Sequence, residues 1–291
     1  MMLRFLLAVL GALALAGCQS EAPPQPAREW PSPSPALWHV TGMNGEQGWL
    51  FGTIHALPDG VKWQTPAFEK AFAASDLMMV EIGNLGDAQE AADAFQAFAK
   101  TTPQPKLSSR VAAEDRPALE ALMTQAGMSD DDFWNVKTWA AALMLANAVR
   151  DSEAGNGVDR ALLKKGKPVQ AFETFSGQFA RFDGLGPLQQ RDLLAGIAHE
   201  AALDQTDVRI EAWLTGDVES LEKQMNQGYL MSPALREALL TDRNNLFAAK
   251  VTAALEQGRK PFVAVGAAHM LRSDGLPALL AKRGYEVKRI Q

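Results

Sequence analysis

The sequence predicts an α/β fold, with a mixed sheet, helical layers and one helical insertion. Two observations support it. Short apolar runs typical of strands recur along the chain, and segments with helical spacing separate most of them. Strands that alternate with helices are typical of a sheet covered by helical layers. The alternative is an α+β arrangement, in which strands and helices are segregated.

The first predicted element is a β-hairpin. The runs 37–41 and 48–52 flank a turn that contains Asn44-Gly45, a dipeptide typical of hairpins. Thr65-Pro66 then begins a short helix through Ala74, because Thr caps a helix and Pro fits its first position. An apolar strand over 76–82 comes next.

The middle and the end of the chain continue this alternation. Ala, Leu, Met, Gln and Glu at helical spacing predict three or four helices over 87–150, with breaks near 101–105 and 127–129. Beyond them the sequence predicts a strand over 167–173, helices over 206–214, 217–226, 232–240 and 242–256, a strand over 261–265, a helix over 276–283 and a strand over 285–290.

The N-terminus reads as a lipoprotein leader. Residues 1–17 contain Arg4 and an apolar stretch that is too short for a transmembrane helix. Leu15-Ala16-Gly17-Cys18 resembles the bacterial lipobox, so we expect Cys18 to be lipidated; the alternative is an ordinary secretory leader. Gln19 after the lipid site favours the outer membrane, with the protein facing the periplasm. Residues 18–35 are a Pro-rich tether, and 36–291 form one domain.

Composition excludes several classes of protein. The formal net charge of −6 gives no electrostatic basis for binding nucleic acid. The single cysteine excludes an intramolecular disulfide framework and any cysteine-based zinc site. The predicted lipid makes the membrane an expected partner, and nucleic acid is not expected.

Four polar residues each come at or just after the end of a strand-like apolar run: His55, Glu81, Glu173 and His269. The two histidines lie in similar phrases, in which Gly52 and Gly266 precede the ring by three residues. Ligands of α/β sheets gather at the carboxyl ends of strands, so these side chains converge if the strands lie side by side. Two imidazoles and a carboxylate suit a divalent ion such as Mn, Co or Zn.

Each of these residues also has a structural interpretation. His55 and His269 could be turn residues bonded to backbone, and Glu81 could simply flank a strand. Glu173 could cap the helix that begins near Thr174. Arg243 lies on a half-apolar stripe of the helix from Asp242, where it could extend to solvent or hold a carboxylate or an oxyanion.

The two remaining histidines are expected to be structural. His39 alternates on an early strand, and His199 lies in a helical stretch at the surface or in the core.

Several phrases together resemble the TraB/GumN family, which is related to the Tiki metalloproteases. The resemblance covers about residues 36–291. Its two most specific phrases are Leu50–Pro58 and Ala264–Met270, each with Gly-x-x-His. Further matches occur in order at Val80–Ile82, Gly157–Asp159, Gly166–Thr174, Gln178, Ala212–Asp217 and Arg243-Asn244. The chain departs from the family at Met270–Ser273.

The resemblance implies a mixed α/β fold and a divalent-metal-dependent hydrolase. It also implies a peptidase as the expected activity, with a peptide or protein substrate as its partner. It implies that His55, His269 and Glu81 hold the metal. It also implies that Arg243 and Asn244 line the site, so the catalytic candidates are Glu81, Arg243, Asn244 and Glu173. Two alternatives remain: a non-catalytic protein that sequesters a peptide signal, and a metal-free, esterase-like hydrolase with a histidine as general base.

Overall fold

The computed structural model describes residues 28–149, 157–203 and 205–291. The chain divides into two units, Met1–Trp30 and Pro31–Gln291, and the second contains the sheet and its helices. The predicted leader, Cys18 and the first part of the tether lie outside the described residues. Residues 31–35 of the predicted tether belong to the second unit, where Ser34 donates its backbone N–H to the carbonyl of Leu214.

Six strands form one mixed sheet. Their bounds are β1 (Leu37–Thr41), β2 (Gln47–Thr53), β3 (Leu77–Ile82), β4 (Val169–Glu173), β5 (Pro261–Gly266) and β6 (Glu286–Arg289), and their order across the sheet is β4-β3-β5-β2-β1-β6. The four strands β4, β3, β5 and β2 are mutually parallel, and β1 runs antiparallel to both of its neighbours. The carboxyl ends of β2, β3, β4 and β5 therefore lie at one edge of the sheet.

Helices connect the strands. Their bounds are α1 (Pro66–Ala74), α2 (Ala88–Ala99), α3 (Arg116–Gln125), α4 (Thr138–Ala148), α5 (Val158–Leu163), α6 (Phe175–Asp183), α7 (Pro187–Ala202), α8 (Thr206–Thr215), α9 (Val218–Met225), α10 (Pro233–Arg236), α11 (Asp242–Glu256) and α12 (Leu276–Lys282). Thr65 caps α1, since its side chain accepts the N–H of Phe68 and Pro66 is the next residue.

Both faces of the sheet are covered by apolar side chains. Leu50 and Val263 pack against Phe247 and Val251 of α11, which are buried in the same cluster. Phe51 points to the other face, because successive side chains of a strand alternate, and its ring packs against Phe68 of α1. This double covering explains why β2 and β5 read as continuous apolar runs.

A helical insertion has a core of its own. Residues of α3, α4 and α7 form a separate buried cluster, with the fully buried Trp139 among its members. Its segments leave the sheet after β3 and after β4. The predicted α/β class is therefore confirmed, with a mixed sheet, helical layers and a helical insertion.

Most predicted elements are found within a residue or two of their expected bounds. One prediction differs in detail: the helix expected over 232–240 is the single turn α10 followed by a π-helical turn, Glu237–Thr241, that leads directly into α11. Among the described residues no helix combines the length and apolar character needed to cross a bilayer.

Candidate active site

The predicted polar residues come together at the carboxyl edge of the sheet. Glu81 lies on β3 and Glu173 ends β4, while His55 comes after β2 and His269 lies in the 3-10 turn after β5. The condition for this convergence, that the four strands lie side by side, is met by the order β4-β3-β5-β2. The convergence of the four side chains is therefore a direct consequence of the parallel pairing.

Two of these side chains, those of Glu81 and His55, lie against Gly266. A Cβ placed on it would stand 3.3 Å from Oε1 of Glu81 and 3.6 Å from Nε2 of His55. Its backbone N–H donates to the same Glu81 oxygen over 2.8 Å. A side chain at this position would therefore displace the carboxylate or the ring.

Gly52 is needed for a similar close approach. A Cβ on Gly52 would lie 3.0 Å from Cα of Ala267, in the turn that leads to His269. Neither Gly52 nor Gly266 is among the described glycines with positive φ. Both glycines therefore serve a close approach of neighbouring groups and not a backbone conformation with positive φ.

His269 is buried and held by Asn244. Its Nδ1 lies 2.5 Å from Oδ1 of Asn244, whose Nδ2 donates to the backbone carbonyl of Asp274 over 2.7 Å. Since that amide nitrogen is committed to a carbonyl, Oδ1 must accept, and Nδ1 of His269 carries the proton. Nε2 of His269 therefore faces Oε1 of Glu81, 3.7 Å away, with a lone pair.

His55 is held in the same way by a carboxylate. Its Nδ1 lies 2.9 Å from Oδ2 of Asp159, and Thr53 donates its hydroxyl to Oδ1 of the same residue over 2.5 Å. Gly157 allows this contact, because a Cβ there would collide with the backbone carbonyl of His55. A ring whose Nδ1–H is held by an oxygen acceptor presents Nε2 as the ligating nitrogen.

Sequence reasoning missed the roles of Asp159 and Thr53. Asp159 lies in Gly157–Asp159, one of the phrases that resemble the family, but it was not among the expected site residues. Its place two residues after Gly157, at the start of the short helix α5, was the available signal.

Arg243 links the two carboxylates. It donates from Nη2 to Glu81 over 2.5 Å and to Glu173 over 2.8 Å, and from Nε to both oxygens of Glu173. Gln178 donates to Glu81 and Glu173, and Arg181 donates to Glu173. Of the interpretations left open by the sequence, Arg243 holds carboxylates and does not simply extend to solvent.

Glu173 is part of this network and does not cap the following helix. Thr174 has that role, because its hydroxyl accepts the N–H of Gly177. Only 4% of the Glu173 side chain is exposed, so its charge depends on Arg243 and Arg181 for compensation.

This network determines the protonation states of Glu81 and His269. Burial alone would raise the pKa of Glu81, but His269, Arg243, His55 and the Gly266 N–H together lower it to about 2. Burial lowers the pKa of His269 to about 4, although Glu81 opposes this shift. At neutral pH the carboxylate is therefore ionised and the ring is neutral, which are the forms that bind a cation.

A pocket of about 110 Å³ lies beside these residues. Four of its lining residues are polar, His55, Glu81, Asp159 and Gln178, and four are aliphatic, Val80, Ile82, Leu85 and Leu163. The polar residues are the ones that could take part in a reaction.

The chemistry of these donors fits a divalent ion. Two ligands of one metal are separated by about 3–4 Å when each bond is about 2.0–2.2 Å long, and His269 Nε2 and Glu81 Oε1 are 3.7 Å apart. Within residues 28–149, 157–203 and 205–291, however, no group of three or more His, Cys, Asp and Glu side chains is assembled closely enough to hold a metal as it stands. The three-ligand metal site stays a prediction.

The other two histidines lie outside this group. His39 stacks on Trp49 with ring centroids 5.4 Å apart, which agrees with its expected structural role. His199 pairs with Asp115 over 2.9 Å and is half exposed, on α7 of the helical insertion.

These features define an α/β protein with a His–Glu–Arg site at the carboxyl edge of a mainly parallel sheet. The model of the TraB/PrgY/gumN family matches residues 36–289. The chain therefore belongs to the TraB/PrgY/gumN family, as its phrases predicted. Comparisons with the curated proteins and with the solved structures gave no match.

Proposed function

We propose that this protein is a divalent-metal-dependent hydrolase that cleaves a peptide or protein substrate. One observation carries the proposal. Nε2 of His269 and Oε1 of Glu81 face each other over 3.7 Å while the ring proton is committed to Asn244 on the other side. This nitrogen and this oxygen both present lone pairs, so they repel each other unless a cation lies between them.

The proposed ligands are His55, His269 and Glu81, with Mn, Co or Zn as the metal. A divalent ion held by three protein ligands supplies a Lewis acid and an activated water. The pKa of Glu81, lowered to about 2, suits a ligand better than a general base, since an effective base titrates near the working pH.

The remaining residues have supporting roles in this proposal. Arg243 keeps Glu81 ionised and fixes its orientation, with Glu173 as the second carboxylate of the pair. Asn244 and Asp159 fix the tautomers of the two rings. An oxyanion-binding role for Arg243 stays a prediction, because its Nε and Nη2 donate to the two carboxylates and its Nη1 donates to the backbone carbonyl of Leu239.

The pair His55–Asp159 favours a second candidate, a metal-free, esterase-like hydrolase. A histidine whose Nδ1 is held by a carboxylate is the base-and-orienter part of a nucleophilic site. His55 lines the pocket and could act as general base there.

A cleavage assay separates these candidates. The purified full chain would be treated with a chelator, dialysed, supplied with Mn, Co or Zn, and incubated with a peptide library analysed by mass spectrometry. We expect cleavage that a chelator abolishes and metal restores. His269→Ala should abolish it, whereas His199→Ala should not.

Other outcomes count against the proposal. Cleavage that survives the chelator supports the esterase-like candidate. Peptide binding without cleavage under any condition supports a protein that sequesters a peptide signal.

We also propose, from the leader sequence alone, that Cys18 carries a lipid that anchors the protein in the bacterial envelope, at the outer membrane and facing the periplasm. A stable anchor requires more than one acyl chain, which lipoprotein processing would supply. Labelled fatty acid should be incorporated into the full chain and not into Cys18→Ser. Equal incorporation in both would contradict the proposal.

A further inference from the structure

We infer that the pocket beside Glu81 selects substrates with one aliphatic side chain of valine or leucine size next to the bond that is cleaved. This selectivity concerns the substrate of the proposed hydrolase and therefore rests on the proposed function. The pocket, its lining and its volume belong to the described residues, and they apply equally to a peptide that is only bound.

The composition of the lining favours an aliphatic side chain. Four of the eight lining residues are aliphatic: Val80, Ile82, Leu85 and Leu163. Val80 and Ile82 share one face of β3, because successive side chains of a strand alternate. Leu85 comes after β3, and Leu163 is the last residue of α5. Burial of an apolar side chain against these aliphatic residues is favourable. A charged side chain would lose its hydration there and find no partner among them.

The polar groups are placed to orient the backbone of such a ligand. His55, Glu81, Asp159 and Gln178 line the same pocket. A peptide whose apolar side chain rests on the aliphatic residues would therefore present its backbone to the polar groups, of which the two carboxylates and Nε2 of His55 accept hydrogen bonds from a backbone N–H. A few polar groups placed beside an apolar wall are typical of a site that orients its ligand. The two carboxylates on this side disfavour an acidic side chain through repulsion.

The volume of the pocket limits the size of the side chain. The pocket has a volume of about 110 Å³. An enclosed apolar cavity of about 150 Å³ accommodates benzene, so the smaller volume of this pocket matches an aliphatic side chain better than an aromatic ring. It therefore discriminates by volume as well as by polarity.

The test measures binding and cleavage separately. Fluorescein-labelled Gly-Ser-X-Ser-Gly peptides with X as Ala, Val, Leu, Phe, Lys or Glu would be titrated with the chelator-treated full chain, and mass spectrometry would verify that they stay intact. Val and Leu peptides should bind at least about 10-fold more tightly than the Phe, Lys and Glu peptides. Even one methylene group changes the selectivity of an apolar pocket by about 10-fold or more.

A variant of the wall should change this preference. Leu163→Ala enlarges the pocket and should move the Phe-to-Val affinity ratio at least about 10-fold toward Phe. Leu188→Ala removes the same atoms from an exposed position on α7 and should leave the ratio unchanged. A circular dichroism spectrum and a thermal unfolding curve would verify that both variants fold.

The outcomes distinguish this inference from the proposed function. The predicted order of binding without any cleavage supports the pocket assignment while the hydrolase proposal fails. Metal-dependent cleavage of all six peptides at equal rates and affinities overturns the pocket assignment while the hydrolase proposal stands. Binding of none of the peptides, or an unchanged ratio in Leu163→Ala, overturns the assignment.

Discussion

Oδ1 of Asn244 lies 2.5 Å from Nδ1 of His269, and this contact determines which nitrogen of the ring carries the proton. The side-chain amide of Asn244 cannot flip without losing the 2.7 Å hydrogen bond from its Nδ2 to the backbone carbonyl of Asp274. The lone pair of His269 is therefore directed at Glu81 by a residue that lies outside the described pocket lining.

Asn244→Ala should weaken metal binding while the fold persists. Partners that orient a metal-ligating histidine typically contribute about 10–100-fold in affinity, so a loss of that size is expected. Asn245→Ala is the matched control, because Asn245 is exposed and its side chain donates to the carbonyl of Thr241. Metal affinity would be measured by isothermal titration. Equal affinity in the two variants would mean that Asn244 is merely structural.

Asp159→Asn should have a comparable effect through His55. Thr53 donates to Oδ1, so the new amide group would face Nδ1 of His55 and favour the wrong tautomer. We expect metal affinity to fall about 10–100-fold. Asp115→Asn changes the other His–Asp pair, at His199 on the helical insertion, and should leave the affinity unchanged. A loss of the same size in both variants would refute a specific role for Asp159.

Arg243→Met should destabilise the folded protein. It leaves Glu81 and Glu173 without their shared cation, and removing one partner of a buried ion pair costs about 3–5 kcal/mol. Arg191→Met, which removes an exposed pairing with the adjacent Asp192, should change the free energy of unfolding by less than about 0.5 kcal/mol. Urea unfolding would measure both.

A second substitution tests the cause of that loss. Glu173→Gln in the Arg243→Met background removes a buried charge that has lost Arg243 and retains Arg181 as a partner, and it should restore part of the stability. If the double variant is less stable than Arg243→Met, charge compensation is not what Arg243 provides.

Acidification should destabilise the protein in a defined order. The pKa of His269 is about 4 in the fold against 6.5 ordinarily, so between pH 6.5 and 4 the unfolded state takes up the proton first and stability falls. Glu81, with a pKa of about 2 against 4.5, stabilises the fold above pH 4.5, and this contribution is lost as the pH falls toward 2.

His269→Gln removes the first of these two effects. Its urea midpoint should therefore vary less between pH 7 and 4 than the midpoint of the parent chain. His199→Gln, at an exposed ring, is the control and should retain the dependence of the parent. Equal pH dependence in His269→Gln and the parent would contradict the assigned charge states.

The strands and the polar residues at their ends could be predicted from the sequence. Apolar runs identified β2, β3, β4 and β5, and His55 and His269 stood out because each comes after such a run and a glycine. Their convergence could not be derived from spacing, because it depends on strand order. Pairing between β3 and β5 joins residues nearly two hundred positions apart, and local periodicity carries no information about such contacts.

The supporting contacts were harder to predict. Asp159 meets His55 only because Gly157 lets α5 approach the carbonyl of that histidine, and a six-residue helix has a weak sequence signal. The family phrase placed Asn244 in the site, but the orientation of its amide depends on the Asp274 carbonyl, thirty residues away in the chain.

The proposed function requires that His55, Glu81 and His269 bind one divalent ion. The sharpest test is a titration of Co²⁺ into the chelator-treated full chain, monitored by the visible absorption of the ligated ion. We expect the parent and His199→Ala to bind one equivalent, and His269→Ala to lose most of the affinity, since an open site has no spare protein ligand. No uptake by the parent, or equal uptake by His269→Ala, would show that these three side chains do not form a metal site.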